Sequence, residues 1–143
     1  MKYGFRIIYC TSEDPEQPVT QLLDPSVNSK GWLSQRYCQY PQEIILQFPS
    51  TVHLTQLQFL SHQSKISQRI ELFVFDPNTQ PQQPTQMPLS EIQFRKLGFL
   101  SLDNNERSGF QARELKSVHV NASGALLKLV IHQCHMNSLN TYN

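Results

Sequence analysis

At 143 residues the chain is the size of one domain with one core, long enough to bury the apolar surface it needs without metals or disulfides. Hydrophobic residues make up 38% and charged residues 16%, which excludes a disordered chain; Gln, Asn, Ser and Thr supply most of the polarity. The net charge of +1, from 12 basic and 11 acidic residues, argues against a dedicated nucleic-acid binder, and no apolar run approaches a membrane span or a signal peptide.

Apolar residues arrive in short runs between turn-rich segments, the rhythm of an all-β domain. Residues 3–9 are aromatic and β-branched and read as the first strand. A long Pro-rich loop follows over 12–31, carrying Pro15, Pro18, Pro25 and Gly31, with Gln21 to Leu23 a candidate short strand or turn. Residues 43–48 form a strand entered through Pro41 and closed by Pro49, since proline suits a strand boundary. Residues 54–60 alternate, Leu57 and Phe59 against Gln56 and Gln58. Residues 68–75 set Ile70, Leu72 and Val74 on one face and Phe73 and Phe75 on the other, a strand covered on both sides. A Pro/Gln-rich flexible loop is expected over 76–88. Strands at 97–102, 113–120 and 126–133, with Gly109 and Gly124 in turns, complete a β-sandwich or jelly roll spanning 1–143 as one domain.

Catalytic chemistry finds little support. There is no Gly-x-Ser-x-Gly elbow, no phosphate-binding loop, no dinucleotide fingerprint, and no base beside Cys38. Cys10, Cys38 and Cys134 are odd in number and widely spaced, as expected of reduced thiols in the cytoplasm. In His132-Gln133-Cys134-His135 the strand period sends His135 to the opposite face from the other two, too few ligands for zinc. The turn Asp103 to Glu106 offers oxygen ligands for calcium without the EF-hand spacing, and an ordinary Asx-type turn is the simpler reading. No cofactor is therefore expected, and the chain is read as a non-enzyme. Between Arg95 and Lys128, six basic residues face three acidic ones, either a solvated face or a patch for an acidic partner. The only tryptophan, Trp32, sits beside Tyr37 and Tyr40 just before Pro41; it reads as a structural plug with its indole N–H on backbone, the alternative being an exposed ligand platform.

The run from Gly31 to Gln47 (Gly-Trp-Leu-Ser-Gln-Arg-Tyr-Cys-Gln-Tyr-Pro-Gln-Glu-Ile-Ile-Leu-Gln) resembles the signature of the N-terminal domain of the family of centrosomal, ciliary-tip proteins of 104 kDa. Residues 95–102, 112–118, 127–133 and the Tyr142-Asn143 ending resemble it too, in order. The resemblance implies a galactose-binding-like, discoidin-like jelly roll. It also implies residence in the cytoskeleton at centrioles, basal bodies and the tips of ciliary axonemes. In the family one more apolar strand follows the polar stretch 134–143, so the chain is expected to be a piece lacking that last strand, or to take one from a neighbour. The turn at Asn104-Asn105-Glu106 departs from the family's Asp-Asn-Glu, which weakens the calcium inference. The leading expectation is a docking domain that binds microtubules, tubulin or a neighbouring cap protein, with Arg95, Lys96, Arg113 and Lys116 as contacts and Trp32 and Pro41 as structural residues. The rival is a small-ligand or glycan-binding, lectin-like module.

Overall fold

The computed structural model describes residues 2–24, 26, 28–79 and 88–142. Five strands, β1 (Arg6–Cys10), β2 (Gln42–Leu60), β3 (Arg69–Phe75), β4 (Arg95–Ser101) and β5 (Leu115–Ile131), form an antiparallel sheet in the order β1-β2-β5-β3-β4. The strands expected at 43–48 and 54–60 are one 19-residue strand, and those at 113–120 and 126–133 are joined in one of 17. Pro49 therefore does not close its strand. It lies where the pairing of β2 with β5 skips from Gln47↔Leu126 to Val52↔Gly124. Proline has no N–H for the ladder, so it is tolerated at such an irregularity, where the ribbon bends.

That bend makes the sandwich. The first half of β2 and the last half of β5 lie in the sheet with β1, β3 and β4, and residues 52–60 and 115–124 continue as a two-stranded ribbon. Ile44, Leu46, Ile70, Leu72, Leu100, Leu127 and Leu129 from the sheet share one core with Val52, Leu54, Leu57, Phe59, Val118 and Val120 from the ribbon. Each such side chain contributes about 1.5–3 kcal/mol when fully buried. Gly124 stands where the layers pinch together, and a Cβ there would overlap Val74 and lie 3.1 Å from the Phe75 carbonyl oxygen.

The double-sided pattern of β3 is realised. Phe75 is fully buried in a second, smaller cluster on the outer face with Ile45, Ile92 and Leu126, roofed by Leu89 and Phe94. Gln21 to Leu23 belong to a short 3-10 turn, Val19–Leu23, not to a strand. The loop over 12–31 is strapped down: Asp14 N donates to Leu33 O, Leu33 N to Gln17 O, and Val19 N to the Glu13 carboxylate at 2.7 Å. Of the loop expected over 76–88, residues 80–87 lie outside the described residues.

Candidate docking surface

Strand alternation places Arg69, Glu71 and Phe73 of β3 on the outer face, opposite Ser101, Phe99 and Lys96 of β4. On the other side β5 contributes Val130 opposite Glu71 and Lys128 opposite Phe73. Between Leu72 and Phe73 the register with β4 shifts at Gly98, which turns both Lys96 and Phe99 outward while Leu97 and Leu100 pack inward.

Glu71 is the centre of this face. Its Oε1 accepts from Arg69 Nη2 at 2.7 Å and from Lys96 Nζ at 2.9 Å, and its Oε2 pairs with His132 Nε2 at 3.0 Å. The hydrogen bonds from Lys96 and His132 hold its carboxyl down at about 2, well below the usual carboxylate value. Arg69 stacks over the Phe99 ring, 4.6 Å from its centroid, and Phe99 is 57% exposed. Lower on the face the Lys128 ammonium lies over Phe73 and Phe94, 3.9 Å from the Glu43 carboxylate. Arg95 heads the edge strand, exposed, opposite Val74.

The four sequence-predicted contact residues do not converge. Arg95 and Lys96 share the β4 edge, whereas Arg113 and Lys116 stand at the loop end of the ribbon. Arg113 clamps loops together, Nε donating to Ser61 O at 3.1 Å and Nη1 to Ser29 O at 3.2 Å. Lys116 lies opposite Phe59 and on the same side of β5 as Val118 and Val120, at the rim of the core. The residues that the sequence does not single out as contacts, Arg69, Glu71, Phe99 and His132, come from β3, β4 and the position just after β5. The signal for part of them was present in the Arg69, Glu71, Phe73 alternation.

Trp32 packs against the main core, and its indole N–H donates to Ser12 O at 2.9 Å. Pro41, joined to Tyr40 by a cis peptide bond, immediately precedes β2. The exposed aromatic residue of that segment is Tyr37, 77% exposed and in the left-handed region at φ 59°. It meets Tyr142 edge to face at 5.3 Å, with the Arg36 guanidinium over the Tyr142 ring.

The metal-ligand candidates point apart. His132 pairs with Glu71, His135 with Leu102 O at 2.7 Å, and Cys134 with the Tyr40 hydroxyl at 3.7 Å. Burial pushes the Cys10 and Cys134 thiols up, and burial does the same to the Tyr40 hydroxyl. At Asp103 to Glu106 the side-chain oxygens accept backbone N–H groups: Asp103 Oδ1 from Asn105, and Asn104 Oδ1 from Glu106. Among the described residues no three His, Cys, Asp or Glu side chains cluster as a metal site, and no helix is long and apolar enough to cross a membrane. Two depressions open to solvent, one of ≈ 330 Å³ beside β1 and one of ≈ 400 Å³ lined by Asp14, Pro15, Glu16, Gln35 and Arg36.

Comparison with solved structures places this geometry in a known fold. A family 32 carbohydrate-binding module from C. perfringens NanJ, in complex with galactose, superposes with a TM-score of 0.67 at 12% identity, over 92% of this chain and 84% of that one. Reduced XRCC1 bound to the DNA polymerase β catalytic domain gives 0.66 at 14% identity, over 92% and 86%. These likenesses show a discoidin-like jelly roll. By sequence, the chain is 39% identical to the human and 38% identical to the mouse centrosomal protein of 104 kDa, over 142 residues or 99% of its length. It spans about 15% of the length of those relatives. Residues 31–143 match the family described as centrosomal protein CEP104, N-terminal domain, and the chain belongs to that family.

Proposed function

We propose that this domain is a non-catalytic docking module of a centrosomal and ciliary-tip protein, binding tubulin or a neighbouring cap protein through the outer face and edge of β3–β4. The observation that carries the reading is the arrangement at Glu71. Three basic side chains are organised around one carboxylate beside an exposed phenylalanine, a built polar surface rather than scattered charge. Lys96 carries it to the edge strand β4, where Arg95 follows on the other side of the strand, so an acidic cytoskeletal lattice meeting that edge would find positive charge. The relatives are named centrosomal proteins, which favours a cytoskeletal location for this chain, and XRCC1 is a case of the same fold bound to a protein partner.

Co-sedimentation of the full-length chain with microtubules tests this. Wild type pellets, pelleting falls as salt is raised because surface charges are screened over about 10 Å at 0.1 M, and Arg95→Glu with Lys96→Glu weakens it while leaving the melting curve intact. Equal pelleting of the variant would move the interface off β4.

A second reading, a lectin-like module, has one observation in its favour: the exposed Tyr37–Tyr142 pair at the loop end. Titration with galactose followed by tyrosine and tryptophan fluorescence separates the two. Saturable quenching abolished by Tyr37→Ala would favour the glycan reading.

A further inference from the structure

The face around Glu71 has more donors than its one carboxylate can take. Oε1 of Glu71 is shared by Arg69 and Lys96, and Oε2 is taken by His132. An ammonium carries three N–H donors and a guanidinium five, so a single carboxylate leaves most of this capacity facing outward. The side chains are placed for it: Arg69 is 44% exposed and Lys96 47% exposed, although both are held by Glu71. The Arg69 Nε is buried without a hydrogen-bond partner, an unmet donor beside those already engaged.

Two further features give the face a shape. The Arg69 guanidinium lies over the Phe99 ring, and Phe99 stays more than half exposed, a hydrophobic shelf beside the charges. Across this face there are three cations, Arg69, Lys96 and Lys128, against two carboxylates, Glu43 and Glu71, a net of +1 with the histidine left uncounted. That is modest and local, on a chain whose total charge is also +1. A surface with a fixed carboxylate at its centre repels a dense polyphosphate. It suits a ligand whose negative charges are spaced along a chain between apolar atoms.

We propose that the outer face of β3–β4, with Arg69, Lys96 and His132 organised around Glu71 and Phe99 beside them, is a receptor for a glutamate-rich peptide segment of the docking partner. A partner carboxylate takes the outward N–H groups of Arg69 and Lys96 as charge-assisted hydrogen bonds, and the methylenes of the neighbouring glutamate lie on Phe99. Glu71 stays ionised and acts as a positioning residue, fixing the side chains whose free donors bind. The inference rests on the docking reading and narrows it to one face and one chemistry.

The test is fluorescence anisotropy of the full-length chain with a fluorescein-labelled polyglutamate peptide and its polyglutamine counterpart, alongside microtubule co-sedimentation of the same preparations. The polyglutamate peptide binds and the polyglutamine peptide does not. Arg69→Gln with Lys96→Gln raises Kd at least about tenfold, equivalent to about 1.4 kcal/mol. Phe99→Ala weakens binding without changing its salt dependence, and Lys30→Gln with Arg36→Gln, at the loop end, leaves it unchanged. Equal binding by the Arg69, Lys96 double variant, or equal binding of the glutamine peptide, overturns the proposal. Binding to phosphatidylserine vesicles in place of the peptide, lost in the same variant, also overturns it and assigns the face to a lipid surface. If wild type and double variant pellet equally with microtubules, docking stands and this site falls. If wild type itself does not pellet, the tubulin reading falls whatever the peptide does.

Discussion

Replacing Trp32 by alanine removes the side chain that joins the Pro-rich strap to the core. The indole packs against the main hydrophobic cluster and donates to the Ser12 carbonyl at 2.9 Å, across 20 residues of chain. Emptying a fully buried tryptophan site costs about 3–5 kcal/mol. Trp32 is only partly buried, so its truncation is expected to cost about 2–4 kcal/mol, hydrogen bond included. Trp32→Phe keeps most of the apolar contact and strands only the carbonyl, about 1 kcal/mol. In thermal unfolding followed by far-ultraviolet circular dichroism, about 3 kcal/mol in a domain of this size lowers Tm by roughly 10 °C, and the phenylalanine variant falls about a third as far. An alanine variant melting within a degree of wild type would refute the structural role. Phenylalanine and alanine variants equally unstable would show that the hydrogen bond, and not packing, carries the effect.

Glu71→Gln probes the outer face through pH. The folded carboxyl sits at about 2 against an ordinary 4.5, so the fold favours the charged form. Its contribution is fully present above 4.5 and is lost as pH falls from there through about 2. The stability gap between wild type and Glu71→Gln should therefore close across that window in urea titrations, from a small starting value because surface charges are screened. A gap that stays constant down to pH 2 would show that the hydrogen bonds from Lys96, His132 and Arg69 do not set this carboxyl. Gly124→Ala drives a methyl into Val74 at the bend and should cost about 1–3 kcal/mol, measured by the urea midpoint; an unchanged midpoint would mean that the layers can part there.

Most strand positions were legible because one face of each strand is buried, and burial writes a period of two into the sequence. The alternation of Ile70, Leu72 and Val74 with Phe73 and Phe75 carried even the covering of β3 on both sides. What alternation does not carry is continuity through a bend. Pro49 marks the end of a strand in most contexts, and here it marks an irregularity between two halves of one strand because β5 keeps pairing on both sides of it. The proposed docking face was half legible. Lys96 stood out as charge, but Glu71 and His132 are 61 residues apart, and only the β3–β5 pairing brings them to 3.0 Å. Arg113 shows a different limit: its side chain donates to the backbone carbonyls of Ser61 and Ser29, and carbonyls leave no trace in residue type.

The central claim is that this domain docks through the β3–β4 face onto acidic groups of a cytoskeletal partner. Zero-length carbodiimide cross-linking of the full-length chain on isolated centrosomes, read by mass spectrometry, tests it most directly, since the reagent joins lysines to carboxylates in contact. The account predicts intermolecular cross-links from Lys96, and from Lys128 on the far side of Phe73, to glutamate or aspartate of a partner, absent at high salt. Intermolecular cross-links confined to Lys30 and Lys65 at the loop end, with Lys96 unmodified, would contradict it.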